Sequence, residues 1–430
     1  GQLTEDIQIS GTISDESFPI QPEGNTATLD EIDKIYINAV HPLGELTAGD
    51  ITFSENSGIF NAFKRNLSGV RASFNTNEKI FKSVYGKSKG IYNRIELKGI
   101  DGNQGPYYLV TKEGKKNIVI SAWSEIVWLD GKKMNRGEDN DYIIDYSSGE
   151  IIFTSKNLIF YDTDIDLEYQ YQLNRYSQNF MGASVANNSN SLFNYKISFS
   201  KEGDDKSLIG DEDKKIFKSV DFLFESGAIA DSTGDYDLVG NDYIYNPSEV
   251  PSENKYRVVF DYDPNGRYVR RITDSNRVYY GLLEITDSKN IEKFSPGRSI
   301  RAPNASSVIH LSSRANLDSG IDLEAEIALS SNNSNTLNHK DNFIKKGNAL
   351  SLKLIKDQMN FVGINSSMLF SHWQNTKDFK TLSRSKDVNF NENWDLIDTT
   401  KFGFEQQTSF GAALSVGSRL NSSMNYSTYS

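Results

Sequence analysis

Acidic side chains are the first candidates for chemistry in this sequence. Arg136 to Thr154 reads RGEDNDYIIDYSSGEIIFT and sets Glu138, Asp139, Asp141, Asp145 and Glu150 among tyrosine, isoleucine and phenylalanine. Closely spaced carboxylates can hold a divalent cation or act as a general acid and base. A calcium loop needs oxygen donors at alternating positions and a glycine at the sixth. Counted from Asp139, the fifth and sixth positions are Ile143 and Ile144, so that template fails. A catalytic pair would need a nucleophile or a sugar-stacking platform distinct from strand packing, and the stretch offers neither. It reads better as a hairpin: Tyr142 to Tyr146 out, Ser147-Ser148-Gly149 as the loop, and Glu150 to Phe153 back. Gly149 supplies the left-handed position. Asp139, Asp141 and Asp145 then brace the turn by accepting from nearby N–H groups or from Arg136.

A second acidic run, GDDKSLIGDEDKK at 203–215, joins two alternating segments and reads as a solvated loop. Asp204, Asp205, Asp211 and Asp213 leave calcium open there as a minor alternative. The four histidines, His41, His310, His339 and His372, have no ligand partner at metal-binding spacing, and the chain has no cysteine. Thiolate metal sites, cysteine nucleophiles and disulfides are thereby excluded. No P-loop, G-x-S-x-G, HExxH or dinucleotide fingerprint is present. The expectation is a non-enzyme without redox cofactor or transition metal.

The elements that position these residues repeat with period two. In GIDLEAEIALSSN at 320–332, Ile321, Leu323, Ala325, Ile327 and Leu329 share one face, while Asp322, Glu324 and Glu326 share the other. In 191–201, Phe193, Tyr195, Ile197 and Phe199 oppose Asn194, Lys196 and Ser198. Segment 402–416 repeats the pattern with Phe402, Phe404, Phe410, Ala412, Leu414 and Val416. Helical period is nearly absent, so the chain is predicted to be all-β.

Composition narrows the setting. The 430 residues carry 46 Lys plus Arg against 58 Asp plus Glu, a formal charge of −12. An acidic chain without a basic block argues against nucleic acid as partner. No apolar run approaches the ~18 residues of a spanning helix, but a spanning strand needs only about 9–11 residues with one apolar face. GQLTEDIQIS is no signal peptide, so either a leader has been removed or the sequence is part of a longer chain.

Two β populations follow. Segments near 107–173 and 228–300 are dense in tyrosine and in turn pairs such as Asp130-Gly131 and Asn265-Gly266, as compact inserted domains are. The rest carries longer alternating strands separated by Asn/Ser-rich loops. The organisation expected is barrel strands at 1–100, an inserted β domain at 101–175, strands at 176–227, a second inserted domain at 228–302, and further strands at 303–430. Phe193, Tyr195, Ile197, Phe199, Ile321, Leu323, Ile327, Leu329, Phe410 and Leu414 are the expected lipid-facing set. A water-soluble sandwich alternates equally well, so pattern alone leaves both architectures open.

VWLDGKKMNRGEDNDYIIDYSSGEIIFT at 127–154 resembles a repeated signature of large outer-membrane β-barrel proteins of the Bacteroidota and related phyla. DESFPIQPEGNTATLDEIDKIYI at 15–37, IDGNQGPYYL at 100–109 and SKDVNFNENWDL at 385–396 are similar to further stretches, in the same order. GQLTEDIQISGTISD and LTAGDITF are distantly similar to strands of the type IX secretion translocon barrel. The resemblance implies an antiparallel transmembrane β-barrel with inserted β domains in a Gram-negative outer membrane. It brings no catalytic residues. It implies a partial barrel, because members are much longer and commonly finish on an aromatic residue, where this sequence reads NYSTYS. The function expected is a subunit of an envelope complex for secretion, assembly or transport, with lipid, envelope proteins or lipoproteins as partners. A passive channel, or a surface adhesin or carbohydrate binder, is the alternative.

Overall fold

The computed structural model describes the chain except residues 1–5, 15–33, 113, 117, 173–176, 188–191, 219–221, 226–227, 248–251, 253, 274–276, 288–290, 318–319, 339, 341–342, 362–363, 389, 395, 397–402 and 417–419. The protein is all-β with antiparallel sheets. Among the described residues, α-helix is confined to Asp211–Phe217 and Phe390–Asn393. Two compact units are present: residues 1–208, 304–334 and 340–430 form the first, and residues 209–303 and 335–339 the second.

The first unit is built on a thirteen-stranded sheet. Its strands, in sheet order and chain order alike, are Gln8–Ser14, Lys34–His41, Gly44–Asn56, Ala62–Asn75, Lys79–Ser88, Gln178–Asn187, Phe193–Asp204, Ala305–Leu317, Ile321–Asn333, Ile344–Phe361, Ile364–Thr376, Phe404–Val416 and Leu420–Tyr429. The alternation read from the sequence drives this arrangement, because a one-residue slip would turn every apolar side chain to the other face. Among the described residues no pairing joins the first strand to the last, so no closed barrel is formed.

Every neighbouring pair in this meander is antiparallel, so alternate connections fall at opposite ends of the sheet. At one end the connections are residues 42–43, 76–78, 188–192, 318–320, 362–363 and 417–419. At the other they are 15–33, 57–61, 89–177, 205–304, 334–343 and 377–403. The connections at the first end are thus 2 to 5 residues long, and those at the second run from 5 to 100 residues.

The 89–177 insertion folds as two small sheets. Ile91–Lys98 pairs with Asp164–Tyr171, which also pairs with Ile126–Leu129, and Glu150–Phe153 pairs with both Tyr142–Asp145 and Tyr107–Tyr108. They enclose a core that includes Leu109, Ile120, Val127, Ile151, Tyr169 and Tyr171, all at or near zero exposure. This domain therefore begins at Ile91 rather than at 101, since Ile91–Lys98 leaves the large sheet. A similar difference marks 222–225: Phe222–Glu225 pairs with Arg298–Arg301 in the second unit, not with the large sheet. In both places the short apolar alternation is indistinguishable from a barrel strand, and only the partner strand decides. The second unit has two further four-stranded sheets, one from residues 228–258 and one from 260–296. Within it Phe260 stacks on Tyr280, and Tyr236 and Tyr268 lie tilted against Phe260.

Candidate functional site

Residues directly opposite in an antiparallel pair share a face, and the register aligns the apolar positions strand after strand. One row runs Phe81, Val185, Ile197, Leu311, Ile327, Leu350. Another runs Phe193, Ala315, Leu323, Leu354, Phe370, Phe410, Tyr426. These rows lie open. Phe193 is 53% exposed, Ile197 44%, Ile327 46%, Leu329 50%, Phe410 43% and Leu414 52%, while Tyr195, Phe199, Ile321 and Leu323 are half-buried. All ten side chains fall on one face of one sheet. Soluble monomers rarely expose contiguous apolar patches beyond several hundred Å².

The opposite face is polar and crowded. Arg65, only 1% exposed, grips Glu202 with Nε at 2.9 Å and a terminal nitrogen at 3.3 Å. Lys196 pairs with Glu55, and the buried His310 Nε2 lies 3.1 Å from Glu326 Oε2. Ile59 N donates to the Glu326 carboxylate at 3.2 Å. Glu55 and Lys196 sit on strands four places apart, about 19 Å in a flat sheet. Their contact requires the sheet to curl with this face inward. Gly58, at φ +99, allows the 57–61 turn to reach across, because a Cβ there would collide with the Glu326 carboxylate. Asn194, Lys196, Ser198, Asp322, Glu324, Glu326 and Gln407 are buried or half-buried.

The concavity is filled by the chain itself. Phe60 and Phe379 meet edge to face at 5.5 Å over Ala328 and Ala349. Leu382 completes a cluster with Phe63, Leu67, Val84, Phe180 and Val308, and its carbonyl accepts from Arg65. Two residues on, Arg384 leaves the concavity for the inserted domain. Its guanidinium lies 4.3 Å from the Trp128 ring centre, and its Nε is 3.1 Å from Glu168. Arg94 holds the neighbouring Asp166 at 2.6 Å. Burial raises the Glu168 carboxyl above the usual range, against the pull of Arg384. Burial, then the Glu168 charge, pushes the Tyr92 phenol up to about 12. Segment 377–388 thus plugs the curled sheet and ties the inserted domain to it.

The acidic hairpin lies on that domain. Tyr142–Asp145 pairs with Glu150–Phe153, and Gly149 has φ +70. Asp145 Oδ1 accepts from Ser147 N at 2.9 Å, and Asp141 accepts from Asn135 N at 2.8 Å and Asn157 Nδ2 at 2.9 Å. Those bonds hold the Asp141 carboxyl below its ordinary range. Asp139 contributes its carbonyl, to Lys156. Arg136 does not serve these aspartates: it stacks on Trp123 at 3.5 Å and reaches Tyr146 and Glu125. The other acidic run is divided between the two units. Asp204 accepts from Asn304 N, Asp205 accepts from Ser207 N and faces Lys87, and Asp211 pairs with Lys214. Asp213 lies in the Asp211–Phe217 helix, and its side chain is outside the described residues. Among the described residues no three acidic or histidine side chains form a metal-binding group.

Arg65, Glu55, Glu202, Glu168 and Arg384 were not legible as a network. Each inward position on a long strand could be read from parity, but a partner several strands away could not.

Residues 92–173 match a family described as Domain of unknown function (DUF8818), which covers the inserted hairpin domain and not the large sheet. No curated protein and no solved structure matches the chain.

Proposed function

We propose that this chain is a non-enzymatic outer-membrane β-barrel protein, a subunit of a Gram-negative envelope complex for protein secretion or for outer-membrane assembly or transport. The observation that carries the reading is the exposed apolar face, kept in register across the large sheet and backed by a polar, ion-paired inner face. Water gives no reason to hold Phe193, Ile197, Ile327 and Phe410 outward together, whereas acyl chains do. The end asymmetry supports it as well, since outer-membrane barrels pair short turns on the periplasmic side with long loops outside. On that rule both insertions belong to the outer side. A bilayer also requires backbone groups at its core to be paired, so the sheet edges close on each other or on further strands once in the membrane.

The filled concavity favours a complex subunit over a passive channel. Leu382, Phe379 and the Arg65–Glu202 pair occupy the space an open pore needs. The partners in this reading are lipid and other envelope proteins or lipoproteins. The test is outer-membrane fractionation followed by affinity purification of the native complex, with planar-bilayer conductance of the isolated chain. Recovery in the outer membrane with stoichiometric partners and no steady conductance is expected. A protein that stays in solution without detergent refutes the reading, and the adhesin alternative would replace it.

A further inference from the structure

The apolar face is not uniform: it is indented where five neighbouring strands cross it. A groove of about 660 Å³ runs over 72–74, 81–83, 183–185 and 197–199 to Ile309, within the usual range for small-molecule sites. Its walls are Phe74, Phe81, Ile197 and Phe199, and the small side chains Ala72, Ser83 and Ala183 lower its floor. Phe81 and Val185 lie opposite each other, as do Ala183 and Phe199, so the groove belongs to the outward face.

Along the same strands, toward the end with the long connections, the outward positions turn basic. Lys201 follows Phe199 by two residues, about 7 Å along the strand, and Lys87 lies one row further. Asp205 is the carboxylate nearby, 3.7 Å from Lys87 Nζ, which remains 64% exposed. The cluster is cationic in a chain of formal charge −12. An apolar groove ending in ammonium groups has the polarity of a membrane lipid.

We propose that this groove holds an acyl chain of a phosphate-bearing membrane lipid, with its anionic headgroup held by Lys87 and Lys201. The inference rests on the membrane reading above. It adds a specific lipid site in the leaflet beside the inserted domains. Charge complementarity and continuity with the lipid-facing belt select this occupant over an apolar peptide, which brings no negative charge to the ammonium groups.

The experiment is native mass spectrometry of the full chain in detergent, titrated with phosphatidylglycerol or phosphatidylcholine. Wild type should retain phosphatidylglycerol at least tenfold more tightly than phosphatidylcholine. Lys87→Gln and Lys201→Gln each weaken phosphatidylglycerol by about fivefold, the size expected of a lysine at an anionic surface, and together remove the preference. Ala183→Trp, which fills the groove from an outward position, should reduce retention of both lipids. Circular dichroism identical to wild type establishes that the variants fold. Equal retention of the two lipids by wild type, or no effect of Ala183→Trp, overturns the proposal while the membrane reading stands. Solubility without detergent overturns the membrane reading itself.

Discussion

Replacing Ile327 by arginine separates a lipid-facing sheet from a water-facing one. On the Ile321–Asn333 strand the outward residues are apolar from Ile321 to Leu329 and polar at Ser331 and Asn333. That stretch spans 329 − 321 = 8 residue steps, about 27 Å along the strand at ~3.4 Å each. A tilt of about 40° reduces it to roughly 20 Å, close to the ~25 Å apolar band of a barrel. Ile327 lies two residues from the centre of this band, about 5 Å in height. Arginine near the midplane costs about 2–4 kcal/mol and near the interface about 0–1, so Ile327→Arg should cost about 2–3 kcal/mol. Ser331→Arg, on the same face but beyond the band, should cost about 1 kcal/mol or less. In water the same Ile327 position, 46% exposed, should tolerate the change within about 1 kcal/mol. Urea titration of the protein folded into phosphatidylcholine vesicles measures both. Equal costs at the two positions would falsify the depth assignment.

Further consequences follow from the plug and the inserted domain. Gly347 lets the backbone of Phe379 lie against its strand, and a Cβ there would come within 2.2 Å of Phe379 N; Gly347→Val should expel segment 377–388, seen as new protease cleavage there and as bilayer conductance absent from wild type. The raised Tyr92 phenol makes folding pH-dependent in the alkaline range: the folded state holds its proton more tightly, so that contribution is intact below pH 10 and lost as pH rises towards about 12. Tyr92→Phe should flatten alkaline unfolding of the inserted domain followed by circular dichroism, and an unchanged profile would show that Tyr92 does not couple. Gly149, at φ +70 with Ile118 O 3.0 Å from the position of a Cβ, should not accept valine: Gly149→Val should cost about 1–2 kcal/mol, read as a lowered denaturation midpoint.

How much was readable in the sequence depends on range. Alternation at 321–329 and 193–199 defines both the strands and their faces, because period two is a local property. The pairing of Ile91–Lys98 with Asp164–Tyr171 is not local, and the segment alternates in the same way as the strands of the large sheet before it. The same holds for Arg65 and Glu202: parity places each inward, but only curling of the sheet brings them together. Arg384 lies in a loop with no period at all, and its role comes entirely from where segment 377–388 folds. Arg136 shows a different limit. Nearby aspartates made a local pair plausible, yet Trp123 and Glu125 offered a better-desolvated partner.

The central claim, that the outward face meets lipid, can be measured residue by residue because the chain contains no cysteine. Single cysteines at each position from 321 to 332, spin-labelled in phosphatidylcholine vesicles, report collision with oxygen, which concentrates in the bilayer, and with a water-soluble nickel chelate. The account predicts a two-residue oscillation: high oxygen and low nickel accessibility at 321, 323, 325, 327 and 329, and low oxygen accessibility at 322, 324 and 326. High nickel accessibility at 323 and 327 would place that face in water and contradict it.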